Sequence, residues 1–293
     1  MKDKKFKIGV LSGKGGVGKS MLTSSLAILF SKREKIIALD CDADAPNLDI
    51  WLGGIKKWDK IIPIKASFQP VIDYRKCNNC GLCVKNCPFR ALEKEKDRIK
   101  LNPFLCEGCG VCEIVCPKKA INLKLIQNGE IRIKQTKYNF PLISGQLYPG
   151  KTGSGKVVSE IKSQAEMFDY NLMLCDCAPG TGCPVIACVR DLNFAILITE
   201  PSLSGFSDLK RVLKVLYHFN ISWGLVINKW DINVKISNKI KKWAKNRFLG
   251  KISYDSNIFK AISNLVPILQ TDLKAKAEII QIYKNFSKYY AQA

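Results

Sequence analysis

The sequence lacks long apolar runs and contains almost no histidine. No run approaches the roughly 18 consecutive apolar residues that a transmembrane helix requires, so no transmembrane segment is predicted. The basic segment Met1–Lys7 precedes an apolar run that is too short for a secretory signal, and we therefore expect a cytoplasmic protein. The single histidine, His218, lies at the end of a predicted helix, where we expect a cap or a surface group.

Acidic residues are scarce relative to basic ones. The chain has 47 lysine and arginine residues against 25 aspartate and glutamate residues, which gives a formal net charge of +22. Such an excess can indicate nucleic-acid binding, but lysine is abundant throughout and no arginine-rich or aromatic-interleaved segment is present. We therefore expect no nucleic-acid partner. An acidic redox or apo-protein acceptor that docks on the basic surface stays open.

Cysteine is absent from the last third of the chain. All 13 cysteines precede Asn193. Because the cytosol keeps thiols reduced, we expect a metal or redox function for them rather than disulfides. The length of 293 residues, with 47% hydrophobic residues, suffices for one sizeable core and a smaller second unit.

A glycine-rich loop near the amino terminus organises the chain. It follows Phe6–Leu11, which predicts a buried strand, and precedes Met21–Phe30, in which leucines recur at helical spacing. Strand, glycine loop and helix form the setting of a phosphate-binding loop; a plain glycine turn is the alternative. Lys19 is predicted to neutralise the β- and γ-phosphates, and Ser20 to hold Mg²⁺. The predicted loop residues are Gly13, Lys14, Gly15, Gly16, Val17, Gly18, Lys19 and Ser20.

Two carboxylates follow the next apolar run. Ile36–Leu39 predicts a second buried strand, and Asp40 and Asp42 come directly after it. Because ligands bind at the carboxyl ends of parallel strands, these side chains are expected beside the phosphate loop. Asp42 is predicted to be catalytic by orienting the attacking water, and Asp40 to support the Mg²⁺ shell. A solvated acidic turn is the alternative.

These motifs resemble the MinD/ParA/Mrp class of deviant Walker A ATPases, to which the nitrogenase iron protein is related. The resemblance rests on Lys14 ahead of Gly15–Ser20, Asp40-Cys41-Asp42 and Pro46–Asp49. It implies an α/β fold, a Rossmann-like parallel-sheet P-loop NTPase that binds and hydrolyses ATP with Mg²⁺. It also implies a homodimer with the nucleotide sandwiched between the subunits, in which Lys14 reaches the partner's nucleotide.

Eight of the cysteines form an internal repeat. Both copies show the spacing Cys-x-x-Cys-x-x-Cys-x-x-x-Cys-Pro of two-cluster bacterial ferredoxins, in which the fourth cysteine ligates the other cluster. One [4Fe–4S] cluster is predicted on the first cysteine set, which is Cys77, Cys80, Cys83 and Cys116. Another [4Fe–4S] cluster is predicted on the second cysteine set, which is Cys106, Cys109, Cys112 and Cys87. Zinc is the alternative, although zinc sites do not need this crossed arrangement.

The repeat predicts that an α+β ferredoxin domain is inserted into the ATPase. We expect it to cover residues 63–124 and to interrupt an ATPase domain formed by residues 1–62 and 125–293. The chain resembles, over nearly its whole length, MinD-superfamily ATPases with such an insert, including the Ser-Gly-Lys segment that ends at Lys156. Lys156 is expected to face the nucleotide or the dimer partner, or simply to start a helix.

Three other segments lead to structural expectations. Ile131–Lys134 alternates and predicts a hairpin strand after a turn at Asn128-Gly129. Trp223–Ile227 is interpreted as the last clear strand. Thr271–Tyr290 predicts an amphipathic helix that packs on the sheet, although some MinD proteins use a terminal helix as a membrane anchor.

Later strand ends supply the other nucleotide contacts that the class implies. Asp176 ends a predicted strand at the position of the Walker B aspartate, near Mg²⁺. Gly180 matches the switch II glycine whose N–H senses the γ-phosphate. The resemblance implies that Asn228 contacts the adenine edge. Asn228 and Asp231 also match the Asn-Lys-x-Asp pattern of GTPases, but the rest of the class favours ATP.

The other five cysteines have weaker patterns. Cys41, Cys175 and Cys177 flank strand ends and are interpreted as small buried apolar residues. Cys183 matches the cysteine that ligates a subunit-bridging cluster in the nitrogenase iron protein. A second ligand is not evident, because Cys188 lies five residues further on and faces another direction. Cys183 is therefore expected to contact the inserted domain or the subunit interface, or to be buried.

Three functions are compatible with these motifs. The first is ATP binding and hydrolysis that couple the nucleotide state to electron transfer through two [4Fe–4S] clusters. The second is an iron–sulfur cluster assembly or carrier ATPase, although the chain lacks the late cysteine pair of Mrp-type carriers. The third is a positioning ATPase whose clusters are structural.

Overall fold

The computed structural model describes residues 5–291, so residues 1–4 of the basic amino-terminal segment lie outside the described part. The chain divides into two compact units. The first takes in the described residues up to Ile61, Ile131–Gln146 and the described residues from Ser154 onward. The second consists of Ile62–Glu130 and Leu147–Gly153.

The elements of residues 5–291 alternate between strand and helix along much of the chain. The strands are β1 (Phe6–Leu11), β2 (Ile36–Cys41), β3 (Lys60–Ile72), β4 (Leu92–Glu95), β5 (Arg98–Leu101), β6 (Ile121–Gln135), β7 (Pro141–Leu147), β8 (Leu172–Cys177), β9 (Phe194–Thr199), β10 (Ser222–Asn228) and β11 (Phe248–Ile252). The α-helices are α1 (Lys19–Phe30), α2 (Leu48–Trp51), α3 (Leu82–Lys85), α4 (Val111–Ile114), α5 (Ser154–Ala165), α6 (Cys183–Val189), α7 (Leu203–His218), α8 (Val234–Ala244), α9 (Asn257–Ser263) and α10 (Lys274–Tyr290).

The first unit is built on a parallel sheet. Its strand order is β11-β10-β9-β1-β8-β2-β7, and each of these strands runs parallel to its neighbours. Strands β2, β8 and β9 are buried along their whole length, as expected for strands covered on both faces. The prediction of an α/β parallel-sheet P-loop fold is therefore confirmed. Because β1 is central, the glycine-rich loop that follows it lies at the carboxyl edge of the sheet.

The carboxyl-terminal helix packs on this sheet, as the sequence predicts. In α10, the apolar side chains Ile279, Ile282 and Phe286 are fully buried. The ring of Phe286 lies 6.0 Å from that of Phe30 in α1 and 5.0 Å from that of Phe194 in β9, measured between centroids. Within residues 5–291, no helix combines the length and apolar character needed to cross a bilayer.

The expectation that Trp223–Ile227 is the last strand is wrong, because β11 follows it at the edge of the sheet. Its sequence, Phe248–Ile252, is interrupted by a glycine and a lysine and gives no continuous apolar run. Gly250 stands where α10 comes close: a Cβ atom there would lie 2.5 Å from Cγ1 of Ile282. The packing of α10 thus requires a glycine at position 250, and this glycine interrupts the apolar pattern by which β11 could have been predicted from the sequence.

The turn predicted at Asn128-Gly129 is also wrong, because β6 continues through both residues. Asn128 is fully buried. Its Oδ1 accepts the N–H of Ala66 at 2.7 Å, and its Nδ2 donates to the carbonyl of Thr152 at 2.6 Å. The amide therefore satisfies backbone groups within the second unit instead of forming a turn.

The second unit has a small core of its own. Strands β4 and β5 form an antiparallel pair, and the short helices α3 and α4 each begin after a glycine in the left-handed region, Gly81 (φ 78°) and Gly110 (φ 84°). Leu92, Ile99 and Ile121 are the buried aliphatic residues at its centre. Equivalent glycines before equivalent helices are what the cysteine repeat leads us to expect.

Candidate functional site

The glycine-rich loop has the backbone conformation of a phosphate-binding loop. Gly16 (φ +74°) and Gly18 (φ +94°) lie in the left-handed region, which favours glycine. A Cβ atom at Gly18 would also lie 2.5 Å from Nδ2 of Asn228. Helix α1 begins at Lys19, so the buried side chains of Lys19 and Ser20 stand at its amino-terminal end, where anions are stabilised.

A cavity of about 990 Å³ opens beside this loop within the first unit. The predicted residues that line it are Gly15, Gly16, Gly18, Lys19, Ser20, Asp42 and Asn228. The other predicted residues of the nucleotide site are not among its lining residues: Gly13, Lys14, Val17, Asp40, Asp176 and Gly180. The cavity is large enough for a nucleotide, because ligand pockets range over about 300–1,000 Å³.

Asp176 lies under the start of α1. Its Oδ1 accepts the hydroxyl of Thr23 at 3.1 Å, and the Ser20 hydroxyl is near enough to help lower the pKa of this carboxylate. Burial raises the pKa of Asp176 to about 6, although the charge of Lys19 and the two hydroxyl groups act in the opposite direction. The hydroxyl predicted to hold Mg²⁺ thus lies near the carboxylate predicted to lie near the ion.

Nucleotide binding that depends on Mg²⁺ should weaken as the pH falls through the pKa of Asp176. The charged carboxylate attracts the ion, and a pKa of about 6 leaves only about one-tenth of it ionised at about pH 5. We expect Mg-ADP to bind about tenfold more weakly at about pH 5 than at about pH 8. Titration calorimetry measures this ratio. ADP in EDTA is the control, because it measures how protonation of the nucleotide itself changes binding when no Mg²⁺ is present. Equal pH dependence with and without Mg²⁺ would contradict the prediction.

Asp40 supports the loop that follows β2. It is fully buried, and its Oδ2 accepts the N–H groups of Asn47 and Leu48, each at 2.9 Å. Burial raises its pKa well above the usual range, and the nearby charge of Asp176 adds to this. Asp40 therefore holds the loop that carries Asp42 in place. Burial also raises the pKa of Asp42, whereas the charge of Lys19 lowers it.

Two predicted sensing residues have partners within the chain. The N–H of Gly180 donates to the carbonyl of Ser12 at 2.9 Å, and Gly180 has a φ of +87°. Lys14 forms an ion pair with Glu200, whose other oxygen lies 3.3 Å from Nζ of Lys229. Gly180 is thus hydrogen-bonded to the residue directly before the phosphate loop. Lys14 is paired with the residue that directly follows β9.

Asn228 braces the phosphate loop. Its Nδ2 donates to the carbonyl of Val17 at 2.9 Å, and its Oδ1 accepts the N–H of Lys229 at 2.9 Å. The predicted adenine contact stays a prediction. Asp231, the residue of the GTPase alternative, accepts the N–H of Tyr254 at 2.8 Å.

The sequence did not point to the aromatic wall of the cavity. Trp51 of α2, Tyr254 after β11 and Phe259 of α9 all line it. Tyr254 and Phe259 are exposed by 56% and 73%, so their rings are free to meet a ligand. The rule that parallel strands carry ligand residues at their carboxyl ends would have found Tyr254, had β11 been recognised as a strand.

The eight repeated cysteines gather at two cavities in the second unit. One is lined by the whole first cysteine set, and the other by the whole second cysteine set. In both sets the fourth cysteine comes from the other copy of the repeat. The structure therefore brings together the same two groups of four thiols that the spacing predicts.

The two copies also share hydrogen bonds to sulfur. Sγ of Cys87 accepts the N–H of Ala91, and Sγ of Cys116 accepts the N–H of Ala120, both at 3.3 Å. Such donors favour a charged thiolate, the form that binds iron. Burial raises the pKa of the Cys112 thiol to about 11.

The remaining cysteines lie in the first unit. Cys41, Cys175 and Cys177 are fully buried, as predicted from the sequence, and so is Cys188. Cys183 is exposed at the start of α6. The expectation that it is buried, one of the alternatives from the sequence, is therefore wrong. Lys156 is an exposed residue of the first turn of α5.

Comparisons with known proteins support the interpretation of the phosphate-loop cavity as a nucleotide site. Residues 8–268 match the family described as the CobQ/CobB/MinD/ParA nucleotide binding domain. The uncharacterized protein MJ0578 of Methanocaldococcus jannaschii is 36% identical over 284 residues, which cover 97% of each chain. An iron-sulfur cluster carrier protein of the same organism is 25% identical over 298 residues, covering 96% of this chain and 83% of the relative. The septum site-determining protein MinD from Pyrococcus horikoshii, solved with Mg-ADP, has a TM-score of 0.61 at 15% identity, covering 99% of this chain and 98% of that one.

Proposed function

Because the chain belongs to the CobQ/CobB/MinD/ParA nucleotide-binding family and is a P-loop ATPase of the MinD/ParA type, we propose that it is an ATP-dependent carrier of iron–sulfur clusters. The observation that carries the proposal is the presence, in one chain, of a phosphate-loop cavity and two cavities that are each lined by four cysteines. Relatives named as cluster carriers align with most of the chain. They favour carriage over electron transfer, which was the first expectation from the sequence.

The two cysteine sets are chemically suited to [4Fe–4S] clusters as cargo. Four thiolates are the usual ligands of such a cluster. In each set one thiol is exposed, Cys80 or Cys109, and one is buried, Cys83 or Cys112. A bound cluster would therefore be open to an acceptor on one side only. We assign this role to a ferredoxin-like domain over residues 63–124.

The nucleotide site would act through its own charges. Lys19 faces the phosphates, Ser20 and Asp176 hold Mg²⁺, and Asp42 orients the attacking water. Gly180 is the element that responds to the γ-phosphate: a bond from its N–H to the nucleotide has to replace the bond to Ser12. ATP and ADP then stabilise different conformations of the segment after β8.

We propose that the active form is a homodimer with the nucleotide between the subunits. Lys14 contributes to the partner's site in this arrangement, as the resemblance implies. To do so it must leave Glu200, with which it is paired in the single chain. Lys229 remains near Glu200 and keeps that carboxylate partnered after Lys14 has moved.

Electron transfer is the second candidate function. The observation that favours it is that each cavity is lined by a complete set of four cysteines. A cluster with four protein ligands offers no open position to an acceptor thiol, so release is expected to be slow. An acidic redox protein is the expected partner in this case, because the net charge is +22.

One experiment separates the two functions. The full-length protein is loaded anaerobically with labelled iron and sulfide and mixed with an apo-ferredoxin, in the presence of Mg-ATP, Mg-ADP or no nucleotide. The carrier function predicts that labelled iron appears in the acceptor and that Mg-ATP changes the rate at least about fivefold. The Lys19→Ala variant is the control for nucleotide dependence.

A parallel arm uses dithionite-reduced protein and an acceptor that already contains its cluster. Reduction of this acceptor that depends on Mg-ATP, without movement of iron, would reject the carrier function and support electron transfer. Iron that stays on the protein together with an acceptor that is not reduced would reject both functions and favour a positioning ATPase.

A further inference from the structure

Four buried cysteines outside the two cysteine sets converge in the core of the first unit. Cys41 ends β2, Cys175 and Cys177 belong to β8, and Cys188 belongs to α6. All four have no solvent exposure. We call them the buried thiol group. None of them has a role in the proposed carrier function.

The strand register explains the convergence. Cys41 lies opposite Cys177 in the parallel pair β2–β8, and Cys175 lies two residues before Cys177 on the same face. Helix α6 covers this face and adds Cys188. The sulfur atoms of Cys41, Cys175 and Cys188 lie within 4.8 Å of one another. Sγ of Cys177 lies 2.7 Å from Sγ of Cys188.

We propose that the buried thiol group is a structural site for one zinc ion, with thiolate sulfur as its only ligand type. Four thiolates around zinc, with bonds of about 2.3 Å, place neighbouring sulfur atoms about 3.8 Å apart. The sulfur atoms of Cys41, Cys175 and Cys188 lie within 4.8 Å of one another, so small shifts bring them to this spacing. Sγ of Cys177 lies close to that of Cys188 but not within 4.8 Å of all three, so Cys177 has to turn toward the group to complete the site. Binding would draw Cys177 and Cys188 apart by about 1 Å.

The spacing selects a single ion over an iron–sulfur cluster. A four-iron cluster is bulkier than one ion and would push its ligand sulfur atoms farther apart than the buried thiol group allows. Four sulfur ligands in a closed, tetrahedral and water-free setting are typical of structural zinc. Simple apolar packing needs no sulfur, because alanine or valine would fill the same space.

The surroundings carry a compensating charge. Lys162 of α5 is almost buried, and its Nζ donates to the carbonyl of Cys188 at 2.9 Å and to that of Ala187 at 3.2 Å. It also pairs with Asp191, which in turn contacts Lys7 at 2.9 Å. Lys7 also pairs with Glu166, which pairs with Lys5. The network thus has three ammonium groups and two carboxylates, and its one excess positive charge offsets part of the negative charge on the thiolates.

The position of the ion suggests what it does. Cys41 lies between Asp40 and Asp42, Cys177 follows Asp176, and Cys188 belongs to the helix after the Gly180 segment. Zinc would join the ends of two central strands to that helix below the nucleotide site. It would fix the carboxylates in place without touching the nucleotide.

The test is the zinc content of the full-length protein, purified anaerobically with its iron loaded. We expect about one tightly held zinc ion per chain, with only sulfur neighbours at about 2.3 Å in zinc X-ray absorption spectra. The double variant Cys175→Ala/Cys188→Ala should lose at least about 90% of this zinc and retain its iron, because two of the four ligands are removed. Cys183→Ser is the matched control: it changes the exposed cysteine of the same helix and should keep the zinc.

Several outcomes overturn the assignment. They are wild-type protein without zinc, equal zinc in the double variant, iron in place of zinc at these thiols, or a Cys177–Cys188 disulfide found by mass spectrometry. If the double variant does not fold, the absorption spectrum of the wild type decides, measured on protein that carries about eight iron atoms per chain, because both cysteine sets are then occupied by iron and leave no ligands for zinc. Neither cluster transfer nor nucleotide binding is measured, so this result is independent of the carrier function.

Discussion

Replacing Lys19 with alanine should reduce ATP hydrolysis about 100- to 1,000-fold, because it removes the charge that stabilises the phosphates in the transition state. Lys19 is only 7% exposed and stands in the first turn of α1, beside the cavity. Its charge also lowers the pKa values of Asp42 and Asp176. The variant should therefore bind Mg-ATP more weakly, because both carboxylates then hold their protons to higher pH.

Steady-state phosphate release and calorimetry with Mg-ATP measure these effects. Lys32→Ala is the matched control, since Lys32 is an exposed lysine just beyond the other end of the same helix. It should leave hydrolysis within about twofold of the wild type, because single exposed charges contribute little. Hydrolysis by Lys19→Ala at more than about one-third of the wild-type rate would contradict the assigned role.

The phosphate loop could be predicted from the sequence because its requirements are local. Gly16 and Gly18 provide the left-handed backbone, and Lys19 begins the helix that follows. The regular cysteine spacing is local in the same way. In both cases the chemistry and the backbone conformation depend on residues only a few positions apart.

Other features depend on contacts between distant parts of the chain. Strand β11 contains Gly250 because α10 packs against it, and that helix begins more than 20 residues later. Asn128 lies within β6 because its side-chain amide forms hydrogen bonds with the backbone of Ala66 and Thr152. The pattern of a single sequence contains no information on these long-range contacts. The sequence therefore predicts a turn at Asn128-Gly129, where β6 continues, and does not predict β11.

For the cysteines outside the repeat, too, the sequence does not predict contacts between distant parts of the chain. The spacing of Cys183 and Cys188 along a helix indicates only that they face different directions. That Cys188 meets Cys41 depends on how α6 packs on β2 and β8. The sequence correctly predicted that Cys41, Cys175 and Cys177 are buried, but it could not show that the sulfur atoms of Cys41 and Cys175 lie together with that of Cys188.

Serine substitution of the fourth cysteine of either repeat should remove half of the iron. Cys116 lines the cavity of the first cysteine set, and Cys87 lines that of the second. If each cysteine set holds one [4Fe–4S] cluster, then Cys116→Ser and Cys87→Ser each lower the iron content from about eight to about four atoms per chain. Iron analysis of anaerobically reconstituted protein measures the change. Cys183→Ser should retain the full content, because Cys183 belongs to neither set.

Double variants test which cysteines share a cluster. In the crossed arrangement, Cys80 and Cys116 bind the same cluster, so Cys80→Ser/Cys116→Ser should keep about four iron atoms, no fewer than either single variant. Cys80→Ser/Cys87→Ser disrupts both clusters and should keep almost none. If each copy of the repeat instead held its own cluster, the two results would be exchanged: Cys80→Ser/Cys87→Ser would keep half of the iron and Cys80→Ser/Cys116→Ser would lose it all. That exchange would refute the crossed assignment even if the protein binds the expected total of iron.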